Sequence, residues 1–149
     1  KSAPAMEQDG TISEEGLEAW YGKAVAAVAE KGRMWNDYQF GEKLRYAPAD
    51  PDGTWPCLAV RSLVEKLQSD ALERGIETEV YNSRGVTSAD GGHSERVLSE
   101  RYVAFATAVE LTYPRTAAML RRIAEDFTSS ARFWATRHET EQAVDYNMG

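Results

Sequence analysis

Residues 114–142, PRTAAMLRRIAEDFTSSARFWATRHETEQ, form one long helical pattern that decides the fold. Along this stretch, six mainly apolar side chains recur at alternating steps of four and three residues, which places them on a single helix face. The stripe consists of Leu120, Ala124, Phe127, Ala131, Trp134 and His138. Pro114 suits the first helical position, where its missing N–H is not required. A helix of this length spans roughly 40 Å and needs other helices to cover its stripe.

Upstream of this helix, the sequence predicts three more helices. The first begins at Thr11, which has the spacing of a capping box, and ends at Gly32. The second runs from a cap at Thr54 to a stop at Gly75. The third covers about 95–111 and is separated from the long helix by only a few residues. Such a short joint predicts that the last two helices form an antiparallel hairpin.

Two segments lack this regular pattern. Residues 33–53 are rich in aromatic side chains, and residues 76–93 show no helical period, although 77–81 could form a short strand. The fold class predicted is therefore all-α, a bundle of about four long helices with an aromatic-rich link and one long irregular loop. Residues 1–10 are interpreted as a disordered arm or the end of a linker, and residues 11–149 as a single helical-bundle domain.

The composition excludes several functional classes. Hydrophobic residues make up 42% and charged residues 28% of the 149 residues, which is ordinary for a globular protein. The net charge of −7 argues against nucleic acid as a partner, and no apolar run is long enough for a membrane span. A lone cysteine, Cys57, cannot form an internal disulfide and fits a reducing cytoplasm. Because the chain begins at Lys1, it is expected to be trimmed or part of a longer protein.

No set of residues in the sequence identifies a reaction, so the catalytic residues are unknown. His138 is followed three residues later by Glu141, but a metal site would need more ligands from other helices. His93 follows a glycine pair and has a pKa range suited to a general base, yet no nucleophile accompanies it. The expectation is therefore that the protein holds no metal and no cofactor.

The aromatic-rich link is the predicted partner-binding surface. Trp35 and Tyr38 are three residues apart and would share a helix face, with Arg45 at the rim. Tryptophan, tyrosine and arginine are the residues that most often anchor protein interfaces. The alternative interpretation is that these aromatic residues form a lid over one end of the helical core.

The 76–93 loop is the alternative candidate site, for a small ligand. Tyr81, Asn82 and Arg84 offer an aromatic face, an amide and a planar fork of donors, and His93 adds a titratable group. A loop of this composition could bind an anionic group. The structural alternative is that Arg84 fixes the loop by donating to free carbonyl groups at a helix end.

Three segments of the chain resemble segments of uncharacterised, largely helical bacterial proteins. They are YPRTAAMLRRIAEDF at 113–127, DGTWPCLAV at 52–60 and YNSRGVT at 81–87, so the resemblance covers residues 52–135. It implies a bacterial cytoplasmic helical domain and no activity. The leading hypothesis is a noncatalytic helical module that binds another protein chain or domain, or a subunit of a larger bacterial assembly. The alternative is an enzyme or small-ligand-binding domain that uses the 76–93 loop.

Overall fold

A computed structural model describes residues 2–85 and 90–148, except for the side chains of residues 138 and 144–148. Within these residues all regular secondary structure is helical, which confirms the all-α prediction. The helices are α1 (Glu14–Glu30), α2 (Asp37–Leu44), α3 (Leu58–Leu67), α4 (Asp70–Asn82), α5 (His93–Val109) and α6 (Pro114–Met148). The predicted number of about four helices is wrong. The aromatic-rich link contains a helix of its own, α2, and the second predicted helix is divided into α3 and α4. None of the described helices is apolar enough over a sufficient length to span a membrane.

The helices α5 and α6 pack against each other as an antiparallel hairpin. At the joint, the backbone N–H of Tyr113 donates to the carbonyl oxygen of Val109 at 2.8 Å. Farther along, the Ser99 hydroxyl donates to the carbonyl oxygen of Ala124 at 2.9 Å, which ties the two helices together. Four residues of the predicted stripe are buried in the core: Leu120, Ala124, Phe127 and Ala131. The periodicity therefore identified the buried face as far as Ala131, whereas Trp134 is only half-buried and the side chain of His138 lies outside the described part of the chain.

The predicted second helix is broken into α3 and α4. Gln68 adopts a left-handed conformation with φ of 48°, and Ser69 then caps α4 by accepting a hydrogen bond from the backbone N–H of Leu72 at 3.1 Å. The prediction that Gly75 ends this helix is wrong, because Gly75 lies inside α4. The predicted cap at Thr54 is also wrong, since α3 begins only at Leu58.

Gly75 is required where α2 crosses α4. A Cβ atom at Gly75 would overlap the carbonyl oxygen of Tyr38, and a Cβ atom at Gly41 would overlap the carbonyl oxygen of Leu72. Each glycine is buried and faces the backbone of the other helix. The absence of two side chains therefore lets the two helix backbones come into direct contact.

The long irregular loop predicted for residues 76–93 is mostly helix. α4 continues to Asn82 because Ile76 and Val80, which are four residues apart, extend the buried face that starts at Leu72. The short strand suggested for 77–81 is therefore wrong. The connection between α4 and α5 begins at Ser83, and its residues 86–89 lie outside the described part of the chain.

The start of α1 differs from its prediction, and part of the segment before it is buried. α1 is capped by Ser13, whose side chain accepts a hydrogen bond from the backbone N–H of Gly16, whereas Thr11 binds Asp9. Within the segment interpreted as a disordered arm, Ala3 and Pro4 are buried. The burial of these two residues holds the short segment against the core, although the segment has no regular secondary structure.

A group of charged side chains joins α4 to α6. Glu73 is buried on α4 and accepts hydrogen bonds from Arg115 and Arg122 of α6, and Arg122 also binds Glu77 at 2.5 Å. These two arginines satisfy a buried carboxylate, which would be costly to leave unpaired.

Candidate functional site

A cleft of about 710 Å³ lies between the C-terminal half of α1 and α2. We call it the aromatic cleft, and its apolar walls are formed by Trp20, Val28, Met34, Trp35, Phe40 and Tyr46. The rings of Trp20 and Phe40 stack with their centroids 5.5 Å apart. The size is within the range typical of ligand-binding clefts, so this surface can receive large apolar groups.

Asp37 fixes the position of one wall of the aromatic cleft. One carboxylate oxygen accepts hydrogen bonds from the Tyr21 hydroxyl at 2.8 Å and from the indole N–H of Trp35. The other accepts from the hydroxyl of Ser69, the residue that caps α4. One carboxylate thus ties α1, the link and the start of α4 together, and holds Trp35 in place.

Burial, followed by the hydrogen bond to Asp37, raises the pKa of Tyr21 to about 12 from its ordinary value of 10.0. Because this folded-state pKa is raised, the Tyr21 bond contributes its stability in full below pH 10 and loses it as the pH rises through 12. We expect tyrosinate absorbance titrations of the wild type and Tyr21→Phe to differ by one group that ionises only near pH 12. A difference that appears near pH 10 would contradict this.

The structure separates the three residues predicted to bind a partner. Trp35 lines the aromatic cleft, and Tyr38 is half-buried with its carbonyl group against Gly75. Arg45 lies in a different pocket. Sequence reasoning missed Trp20 and Val28, which contribute to the cleft although their spacing on α1 is that of a core-facing stripe.

A second pocket, of about 500 Å³, lies between the end of α4, the start of α5 and Arg45. We call it the basic pocket, and its polar lining consists of Arg45, Ser83, Arg84, His93, Ser94 and Arg101. The structure therefore brings together Arg84 and His93, two of the four residues of the alternative site. Of the other two, Tyr81 lies beneath Arg84, and Asn82 is exposed outside this pocket.

Arg84 is held by three contacts. Its guanidinium carbon lies 3.5 Å from the centroid of the Tyr81 ring, and the same side chain donates to the carbonyl oxygen of Tyr81 in the last turn of α4. It also forms an ion pair with the buried carboxylate of Glu95, with a distance of 3.3 Å between Nε and Oε1. Arg84 therefore makes the predicted bond to a carbonyl group at a helix end, and it also lines the basic pocket.

The remaining reactive side chains do not form a catalytic pair in the described part of the chain. Cys57 is buried, and burial raises the pKa of its thiol, so the thiolate is disfavoured. His93 is exposed, and its side chain makes no hydrogen bond with another described residue. The described residues also contain no group of three side chains arranged to hold a metal ion.

Comparisons of this chain with protein-family models, with curated proteins and with solved structures found no match. The resemblance noted for residues 52–135 therefore stays an expectation. Two surfaces of the described chain are therefore candidates for function, the aromatic cleft and the basic pocket.

Proposed function

We propose that this chain is a noncatalytic protein-interaction module, or a subunit of a larger bacterial assembly, and that its aromatic cleft receives a segment of the partner protein. The observation that carries this proposal is Met34, which lies at the cleft with 94% of its surface exposed. A fully exposed methionine beside an aromatic floor offers adaptable apolar area to a partner. The cleft also contains Trp20 and Trp35, and tryptophan is among the residues that most often contribute a large share of the binding free energy at protein interfaces.

The floor of the cleft is arranged before any partner binds. Trp35 is held by its hydrogen bond to Asp37, and its ring also contacts Tyr21 and Phe40, at centroid distances of 5.4 and 5.8 Å. Fixed side chains lose little conformational entropy on association, which favours binding. The same contacts make Trp35 part of the local fold, so its replacement would combine lost binding with lost stability.

The charges at the rim indicate the character of the partner segment. Two basic side chains, Arg33 and Lys43, and two acidic ones, Glu42 and Glu79, line the cleft. Neither basic side chain forms an ion pair with another described residue. Carboxylates of a partner that lie beside Arg33 and Lys43 would pair with these two charges. We therefore propose that the partner segment is a short stretch of protein with an aromatic or aliphatic anchor flanked by Asp or Glu.

The test is selection of a displayed random peptide library against the full chain. We expect enriched peptides with an apolar anchor and acidic flanks, and we expect Met34→Glu to weaken their binding at least about tenfold, because it places a like charge near the acidic flanks and removes an apolar contact. The matched control is Leu111→Glu, since Leu111 is 96% exposed but lies at the joint before α6, outside the cleft.

Two outcomes would contradict the proposal. One is a selection without enriched peptides, and the other is a set of peptides that Met34→Glu and Leu111→Glu affect equally. Sedimentation of the protein without peptide tests a different occupant, a second copy of this chain. Self-association that Met34→Glu abolishes would replace the proposed partner segment with a homodimer contact.

A further inference from the structure

The arginines of the basic pocket are only partly paired with carboxylates. Among the described residues, the lining of this pocket includes three arginines and no carboxylate, in a chain whose net charge is −7. Arg84 is paired with Glu95, whereas Arg45 and Arg101 form no ion pair with any described residue. Two uncompensated guanidinium groups therefore face the same cavity, which favours a ligand that carries two negative charges.

Arg45 is oriented without its terminal nitrogens being used. Its Nε donates to the hydroxyl of Ser83 at 3.0 Å, and its guanidinium carbon lies 5.7 Å from the centroid of the Trp55 ring. Neither terminal nitrogen has a hydrogen-bond partner among the described residues. The flat fork of donors is thus fixed in place and still available, which is the arrangement that binds phosphate and carboxylate groups.

Helical spacing brings the second free arginine to the same cavity. His93 and Arg101 are eight residues apart on α5, close to two full turns, so both lie on one face of the helix. Both line the basic pocket. The wall formed by α5 therefore presents one permanent positive charge and one imidazole, which can supply a further donor.

The floor of the pocket contains an unpartnered donor. Tyr102 is only 6% exposed, yet its hydroxyl makes no hydrogen bond with any described residue. Burial raises the pKa of this phenol, and the positive charges of Arg45 and Arg101 partly offset that effect, so both charges act on the same hydroxyl. A neutral phenol that lines the same pocket as two cations is a suitable donor to an anionic oxygen.

We propose that the basic pocket binds a phosphomonoester dianion whose organic group is apolar. The phosphate would lie between Arg45 and Arg101 with the Tyr102 hydroxyl as a third donor. The organic group would contact the apolar part of the lining, which is formed by Val80, Val97, Leu98 and Phe127. A cavity of about 500 Å³ has room for such a small molecule. This inference concerns a different site and does not depend on the aromatic cleft.

Calorimetric titration of the full chain with phenyl phosphate tests the proposal. We expect Arg101→Gln to weaken binding about tenfold, because it removes one charged donor, and to leave the melting temperature unchanged, because Arg101 is exposed and forms no ion pair within the described chain. Tyr102→Phe is expected to weaken binding by a few-fold, since it removes only the unpaired hydroxyl. The matched control is Arg74→Gln, which removes the same charge from an exposed position on α4 outside the pocket.

Three ligands and one cross-test complete the experiment. Benzoate, with one charge, and phenol, with none, are expected to bind more weakly than phenyl phosphate, and inorganic phosphate is expected to be weaker because it lacks the apolar group. The proposal is overturned if phenyl phosphate shows no binding, if Arg74→Gln and Arg101→Gln weaken it equally, or if benzoate binds as tightly. Peptides selected on the aromatic cleft should bind Arg101→Gln and the wild type equally. The two proposals are therefore tested independently, and a negative result at one site does not affect the other.

Discussion

Phe127→Ala is expected to lower the free energy of unfolding by about 3–5 kcal/mol, the range typical of a buried phenylalanine. Phe127 is 1% exposed at the centre of the α5–α6 hairpin, and its ring lies against those of Tyr81 and Tyr102, at centroid distances of 5.8 and 5.7 Å. Its removal leaves a cavity that rigid aromatic neighbours cannot fill by small movements. Denaturant unfolding monitored by circular dichroism measures this loss.

Phe133→Ala on the same helix is the control for that measurement. Phe133 is 57% exposed, so the same substitution removes little buried surface and should change stability by no more than about 0.5 kcal/mol. Equal losses for the two variants would mean that the hairpin does not bury the face that contains Phe127.

The second large effect is expected at the crossing of α2 and α4. Gly41→Ala and Gly75→Ala combined should destabilise the protein by about 3 kcal/mol or more, at the upper end of overpacking effects. Each new methyl group would meet a backbone carbonyl of the facing helix, which no side-chain rotation can relieve. The helices would have to separate, and the bond between Asp37 and Ser69 would break with them.

Gly22→Ala isolates the contribution of close packing. Gly22 lies in α1, and a Cβ atom there would have no heavy atom within 4 Å outside its own helix backbone and chain neighbours. Alanine should therefore stabilise the protein, by up to about 1 kcal/mol, because it restricts the unfolded chain and favours helix. The melting temperatures of both variants test this. A lower melting temperature for Gly22→Ala, or an unchanged one for the double substitution, would contradict the proposed role of the crossing.

The candidate sites were predictable only in part. Trp35 was assigned to a binding surface and lies at the aromatic cleft, and Arg84 and His93 were assigned to one ligand site and line the basic pocket. These functional assignments stay predictions until they are tested. Arg45 was grouped with Trp35 because the two are near in sequence, but it lies with residues of α4 and α5. Helix α2, whose eight residues lie between Trp35 and Arg45, is enough to direct these two side chains to different surfaces.

The signal for Arg101 was present in the sequence but could not be interpreted without its partners. Its spacing from His93 predicts a common face of α5, yet a pocket forms only when another element closes the opposite side. Here that side is closed by Arg45, which follows α2, and by Ser83, which follows α4, and these two residues belong to distant segments. The spacing of residues identifies a helix face, but it does not show which other element packs against that face.

The sequence by itself determined the all-α class, the position of α6 and the face that α6 buries. These features depend on the spacing of apolar residues along one helix, which is a local property of the chain. The same is true of the joint before Pro114, where too few residues are available for any connection other than a hairpin.

Only the tertiary structure decided that α3 and α4 are separate helices, that Gly75 is an internal contact and not a helix end, and that residues 76–82 are helical. At each of these points a local signal has two meanings, because glycine both ends helices and permits close packing between them. The choice depends on whether another backbone lies within contact distance. That information comes from residues far away in the chain, here the helix α2 against which Gly75 packs.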